Sequence, residues 1–118
     1  IMVAGTLSLL SEAFTLAQQG GADPAKVREA LLGGFADSTL LQHQGERMVK
    51  GDFEARGAAK WQLKDTRSAV ALAKQLDLTL PLTETVNQLF SQMIDAGEGE
   101  LDHCAIIKQI QRLNNVLI

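Results

Sequence analysis

Residues 58–78 read AAKWQLKDTRSAVALAKQLDL. The stretch runs for about twenty residues without Gly or Pro, too long for a strand and regular enough for a helix. At about 100° per residue, Trp61, Ala69, Leu72 and Leu76 gather on one face, and Lys60, Lys64, Arg67 and Lys74 on another. Asp65 falls inside the apolar stripe, between Trp61 and Leu72. A lone carboxylate buried there costs several kcal/mol, so the position predicts either an ion pair with another helix or a place on a cleft wall. Neighbouring helical residues do not face each other, which puts Lys64 at the edge of the stripe and not opposite Asp65. On periodicity alone the buried ion pair is the favoured reading.

The segments on either side also read as helices. Residues 1–19 are apolar or small except for a thin polar stripe of Ser8, Ser11, Glu12, Thr15, Gln18 and Gln19, as expected of a central helix. Ala4, Gly5, Ser8 and Ser11 allow a neighbour close, and Glu12 reads as a salt-bridged groove residue. Gly20-Gly21 ends this helix, and Asp23-Pro24 starts a second, over 24–32, with Val27, Leu31 and Leu32 turned inward. Asp37 or Ser38 caps a third helix ending at Lys50, with Gly45 as a candidate break. The loop GDFEARG (51–57), anchored by Phe53, leads into the helix quoted above. Pro81 holds 79–82 extended, and Thr83 reads as the cap of a fifth helix through Val86, Leu89, Phe90 and Met93. Gly97-Glu98-Gly99 closes it, and Asp102 caps a last helix. There Ile106, Ile110, Leu113 and Leu117 form a narrow seam. No stretch alternates with period two, so the fold class is all-α: one domain, a bundle of roughly six helices.

Composition narrows the function. The chain has 118 residues, 46% hydrophobic and 21% charged, with a formal net charge of -3. That suits a globular domain and supplies no electrostatic footprint for nucleic acid. The apolar N-terminal run lacks a positive n-region, is interrupted by Glu12, and is too short and polar to span a membrane. The single Cys104 excludes an intrachain disulfide and fits a reducing compartment. The helical pattern is already running at Ile1 with no capping residue before it, so the chain is expected to be part of a longer helix and a longer protein.

No complete catalytic constellation is visible. His43 and His103 are far apart, and His103 and Cys104 point about 100° apart on a helix, a poor ligand pair. No metal site is expected, and His103 reads as a polar first-turn residue. Gly33-Gly34 lacks the strand and motif of a phosphate loop. The basic face of 58–78 reads as solvated, and Phe53 and Trp61 do not form a base-stacking platform with it. Lys64-Asp65 is the pair that chemistry would use: a cation at the lip of a cleft above an anchoring carboxylate.

Taken in order, several stretches are similar to one family. They are VAGTLSLLSEAFTLAQQGGADP (3–24), LLGG with the following ADS, RMVKGDF (47–53), QLKD (62–65), LPLTE (80–84) and LDHCAI (101–106). Together the sequence resembles the C-terminal helical domain of the β-hydroxyacid dehydrogenases, the group of 3-hydroxyisobutyrate dehydrogenase, tartronate semialdehyde reductase and glyoxylate reductase. The fold this implies is like the C-terminal domain of 6-phosphogluconate dehydrogenase. The resemblance implies an N-terminal Rossmann-type domain in the parent chain, NAD or NADP as cofactor, and a small 3-hydroxy acid or semialdehyde as substrate. The general acid/base lysine is then expected just upstream of Ile1, with no catalytic residue inside 1–118, and the isolated chain is expected to be inactive and to hold no cofactor.

The resemblance further implies that Lys64 faces the cofactor and substrate cleft and that Asp65 supports its wall. At Gly57 many members carry an aromatic ring lining the pocket; here the position is bare, and the preceding Arg56 could reach a substrate carboxylate. The implied partners are the parent's own Rossmann domain and further copies of the chain, as a dimer or tetramer. No nucleic acid or membrane partner is implied, and the location is expected to be cytoplasmic. The alternative is a non-catalytic helical module that dimerises through the Ile106–Leu117 seam.

Overall fold

The helix so poor in charge does become the one the others surround. In the computed structural model, which describes residues 1–116, α1 (Met2–Gln19) is followed by α2 (Pro24–Leu31), α3 (Thr39–Lys50), α4 (Ala59–Gln75) and α5 (Pro81–Asp95). A short 3-10 turn (His103–Ala105) then leads into α6 (Ile106–Leu113). Ala4, Leu7, Leu10 and Phe14 of α1 are buried. The polar residues sharing that face, Ser8, Ser11 and Thr15, donate their hydroxyls to the carbonyls of Ala4, Leu7 and Ser11, each at 2.8 Å. Those internal bonds let small polar side chains enter the core unpenalised. α3 and α6 pack on this face, adding Leu41, Met48, Ile106, Ile107 and Ile110 to the buried set.

The ends of the elements follow the expected chemistry with a few shifts. Asp23 accepts from the Ala25 N–H ahead of Pro24. Ser38, and not Asp37, caps α3 by accepting from Leu41 N at 2.9 Å; Asp37 instead accepts from the N–H groups of Gly33 and Ser38. Gly45 does not break α3. A Cβ there would stand 3.4 Å from Leu41 Cδ1 and 3.6 Å from Phe14 Cζ, so the glycine is a close-packing position. α2 stops at Leu31, with Val27 and Leu31 half-buried and Leu32 on the surface, because this short helix lies at the margin of the bundle. α5 begins at Pro81, two residues before the expected cap; Pro suits the first helical turn, and Thr83 is buried within it. Glu12 is exposed and makes no ion pair among the described residues.

The larger correction concerns α4. Its apolar stripe does not face the core: Trp61 is 60% exposed, and Leu72 and Leu76 are also more than half exposed. The buried face is Ala59, Gln62, Leu63, Thr66 and Ala73, turned roughly 100° away. These mostly small residues let α5 approach, and Thr66 Oγ1 bonds Asn87 Oδ1 at 2.8 Å. Asp65 is therefore not a buried carboxylate. Its side chain is 59% exposed and lies 3.0 Å from Lys64 Nζ, the neighbour that simple helical geometry would not pair with it. Lysine's four-carbon stem can curl back around the helix and close that contact.

The expected seam of the last helix is split as well. Ile106 and Ile110 are consumed by the chain's own core, Leu113 is exposed, and Leu117 lies outside the described residues. Glu98 ties the turn after α5 to α6, meeting Arg112 and, at 3.1 Å, Lys108.

Gly45→Ala should raise stability by about 0.5–1 kcal/mol, since the helix interior gains a better former and the space accepts a methyl group. Gly45→Leu should lower it, because Phe14 and Leu41 leave no room. Urea midpoints at constant slope distinguish the two.

Candidate functional site

The site is assembled by a loop and a buried carboxylate. Gly51, at φ +69°, ends α3 in the left-handed region that favours glycine, and the chain turns into 52–57. Residues 53–60 then pair with the segment before α6. Phe53 and Gly57 carbonyls accept from the N–H groups of Asp102 and His103, and the Ala59 and Lys60 N–H groups donate to Leu101 and Gly99. α4 has no side-chain cap, and these carbonyls take its place.

Asp102 holds the junction and is fully buried. Its Oδ1 accepts from the backbone N–H groups of Arg56 and Gly57, both at 3.0 Å, and lies 3.0 Å from Arg47 Nη1. Its Oδ2 accepts from Cys104 N at 3.0 Å and Gln44 Nε2 at 3.3 Å. Burial alone would raise this carboxyl, but the N–H groups of Cys104, Arg56 and Gly57 outweigh it and hold the group well below the usual carboxylate range. Arg47 reaches further, to Asp52 and to the Glu54 carbonyl, so one guanidinium fork clasps both ends of the loop.

His103 completes the network. Gln44 Nε2 lies 2.7 Å from its Nε2, and Gln62 Oε1 lies 3.3 Å from its Nδ1. That pattern places the proton on Nδ1 and leaves Nε2 as acceptor. Burial lowers the His103 pKa; Asp102 opposes this and Arg47 adds to it. The Cys104 thiol, buried beside Asp102, is pushed up to about 12 and is unreactive.

The residues singled out from the sequence sit at this end of α4. Gly57 donates to Asp102, and a side chain on it would rest on the His103 ring, 3.5 Å from Cε1 and Nε2. Arg56 uses its backbone to grip Asp102 while its side chain extends into solvent. Lys64 and Asp65 form their exposed pair one turn into α4. Lys60, fixed by Glu100 at 2.7 Å, lies over the Trp61 ring at 5.1 Å. Reading the sequence alone took Asp102 as no more than a cap and His103 as a polar first-turn residue, and did not single out Gln44 or Arg47. The available signal was an acidic residue two positions before the apolar run Cys104–Ile107, which buries whatever caps it. Among the described residues there is no group of three or more His, Cys, Asp or Glu placed to hold a metal ion, and no helix long and apolar enough to cross a membrane.

The family described as "NAD-binding of NADP-dependent 3-hydroxyisobutyrate dehydrogenase" matches residues 1–110. The chain belongs to the β-hydroxyacid dehydrogenase family. Within that family it is 40% identical over 115 residues to the 2-hydroxy-3-oxopropionate reductase of Escherichia coli (strain K12), covering 98% of this chain and 39% of the reductase. It therefore spans about two fifths of that relative's length. The crystal structure of a 3-hydroxyisobutyrate dehydrogenase from Salmonella typhimurium superposes with a TM-score of 0.87 at 26% identity, over 91% of this chain and 38% of that one. The all-α bundle thus has the fold of a helical portion of that dehydrogenase. The relatives not named as enzymes include the "Cytokine-like nuclear factor N-PAC" of Anopheles gambiae, 31% identical over 106 residues, 89% of this chain and 19% of that protein.

Asp102→Ala should cost about 3–5 kcal/mol by taking from Arg47 its one fully buried counter-charge and from three backbone N–H groups their acceptor. Asp102→Asn should not rescue it, because one amide face presents N–H to N–H. Both His103 and Asp102 have folded-state pKa values below their ordinary ones. Each therefore contributes stability that is full above its ordinary value and lost as pH falls toward the folded value. The His103 loss begins near its ordinary 6.5 and that of Asp102 near 3.8. Urea midpoints should fall between pH 7.5 and 5 in the natural chain, and His103→Gln should flatten that fall.

Proposed function

We propose that this chain forms the substrate-cleft and dimerisation domain of an NAD(P)-dependent β-hydroxyacid dehydrogenase or reductase. The reaction is reversible hydride transfer between a nicotinamide and a small 3-hydroxy acid or semialdehyde. The observation that carries the reading is the family match across residues 1–110 together with a polar and apolar face on α4 that the bundle itself leaves open. In this reading a Rossmann domain of the parent protein docks against that face, and the catalytic lysine is supplied from the helix preceding Ile1.

Lys64 would stand at the lip of the cleft, free to turn its ammonium from Asp65 toward a substrate or cofactor oxygen. Asp65 would orient it. Arg56 would reach a substrate carboxylate, beside a Gly57 that carries no aromatic side chain. The 118 residues contain no phosphate-binding glycine loop. They fit a rim contact to a nicotinamide dinucleotide, whose main pocket would belong to the other domain. When bound, the cofactor supplies the hydride; the residues here position the substrate and help to exclude water.

A second reading has one observation in its favour. The N-PAC relative carries a similar domain under a name that is not an enzyme's, which is compatible with a helical module used only for association.

In the full-length parent, Lys64→Ala should lower kcat/KM by about tenfold or more, ~1.4 kcal/mol of transition-state stabilisation, with little change in thermal midpoint. Asp65→Ala should lower kcat/KM less and also leave stability near that of the parent, since the pair is solvent-exposed. Unchanged kinetics in both variants would reduce Lys64-Asp65 to a surface ion pair, and a parent without oxidoreductase activity would favour the association module. The isolated chain should show no turnover of hydroxy acids.

A further inference from the structure

The Lys64 and Asp65 side chains pair with each other at 3.0 Å, and no side chain from the rest of the bundle holds either of them among the described residues. Their direction therefore follows from the rotation of α4 about its own axis. At about 6 Å from the axis, a turn of about 10° moves a side-chain atom by about 1 Å. A misplacement of that size near reacting atoms can cost ~100-fold in rate.

The contacts that set this rotation are few. The Ala59 and Lys60 N–H groups fix the start of α4, and Thr66 bonds Asn87 of α5 further along. Between them, the buried side chain that ties the turn to another element is Gln62, whose Oε1 lies 3.3 Å from His103 Nδ1. Gln62 lies about 160° around the helix from Lys64, so it anchors the turn from the opposite side. His103 is itself fixed on several sides. Its backbone N–H donates to the Gly57 carbonyl at 2.8 Å, its Nε2 accepts from Gln44, and a Cβ on Gly57 would stand 3.5 Å from its Cε1. Gln44 in turn accepts from Arg47 and donates to Asp102. A continuous run of hydrogen bonds thus connects the buried Arg47–Asp102 pair to α4, and His103 is its last link before the helix.

We propose that His103 is a positioning residue: by donating its Nδ1 proton to Gln62 Oε1, it fixes the rotation of α4 that directs Lys64 and Asp65 into the cleft. The role rests on the dehydrogenase reading above, in which those two residues face substrate and cofactor. His103 bonds neither of them and acts only through Gln62. What the role requires is a donor at the Nδ1 position, and not the bulk of the ring. Asparagine carries its Nδ2–H the same number of bonds from the backbone and meets that requirement. Leucine fills the space without a donor.

The test is steady-state kinetics of the full-length parent with 3-hydroxypropionate, glycerate and 3-hydroxyisobutyrate, each with NAD and with NADP. Assays run well below the lowest thermal midpoint of the set, so that only folded enzyme is compared. His103→Leu and Gln62→Leu should each lower kcat about tenfold and leave KM for the dinucleotide within about twofold, because its main pocket would belong to the other domain. His103→Asn should keep kcat within about threefold of the parent. Combining His103→Leu with Gln62→Leu should lower kcat no further than either change alone, since both break one bond. Gln62→Leu leaves every bond of Asp102 in place, so it carries the test even where His103→Leu fails to fold. An unchanged kcat in Gln62→Leu, multiplicative losses in the double variant, or His103→Asn as slow as His103→Leu overturns the positioning role; a slowed Lys64→Ala parent then keeps the dehydrogenase reading. Normal kinetics in Lys64→Ala, or no turnover of any of the three acids, removes that reading and the role of His103 with it.

Discussion

A carboxylate with no exposed surface holds one end of this domain together. Removing Asp102 from water costs several kcal/mol on general grounds, and a single ion pair rarely recovers that. Here the recovery is shared among Arg47, Gln44 and three backbone N–H groups, from Arg56, Gly57 and Cys104. Because those donors come from α3, from the 52–57 loop and from the turn before α6, satisfying one carboxylate fixes three segments at once. The start of α4 inherits its position from that junction through the bonds of Ala59 and Lys60 to the 99–101 backbone. Lys64 and Asp65 are thus placed by a residue that neither of them contacts.

The same economy explains why α4 can turn its most apolar face outward. Its attachment to the bundle needs only Ala59, Leu63, Thr66 and Ala73 against α5 and the 3-10 turn, supplemented by the Gln62–His103 bond. Close approach of small residues gives good packing from little side-chain area. Trp61, Leu72 and Leu76 are left over for something beyond the bundle, as are Met2, Leu9 and Leu16 on α1. Two apolar faces of this domain are thus left uncovered by its own packing. The relatives it matches are more than twice its length.

The site was only partly legible from the sequence. Lys64 and Asp65 drew notice because a carboxylate interrupted an apolar stripe, but the stripe is exposed and the carboxylate carries no burial cost. Gly57 and Arg56 came from family resemblance, and the structure gives both a local task, donating to Asp102, that no periodicity announces. His103 looked like a polar first-turn residue. Its ring is instead wedged between Gln44 and Gln62, residues 59 and 41 positions away in the chain. Contacts over such separations leave no mark in local spacing.

The all-α class, the six helices and most of their ends were set by local chemistry: 3.6-residue periodicity, Asp23, Ser38 and Asp102 as caps, and glycines where the chain turns. These are short-range steric and hydrogen-bonding effects, so the sequence by itself determined them. Which face of each helix is buried was decided only by the tertiary structure. Periodicity shows that a helix has two faces, but the choice between them depends on what the neighbours can accommodate. In α4 the smaller, more polar face won because it let α5 and His103 come close. In α6 half of the apolar seam was taken by α1. On α1 two apolar faces existed, and the core had room for one.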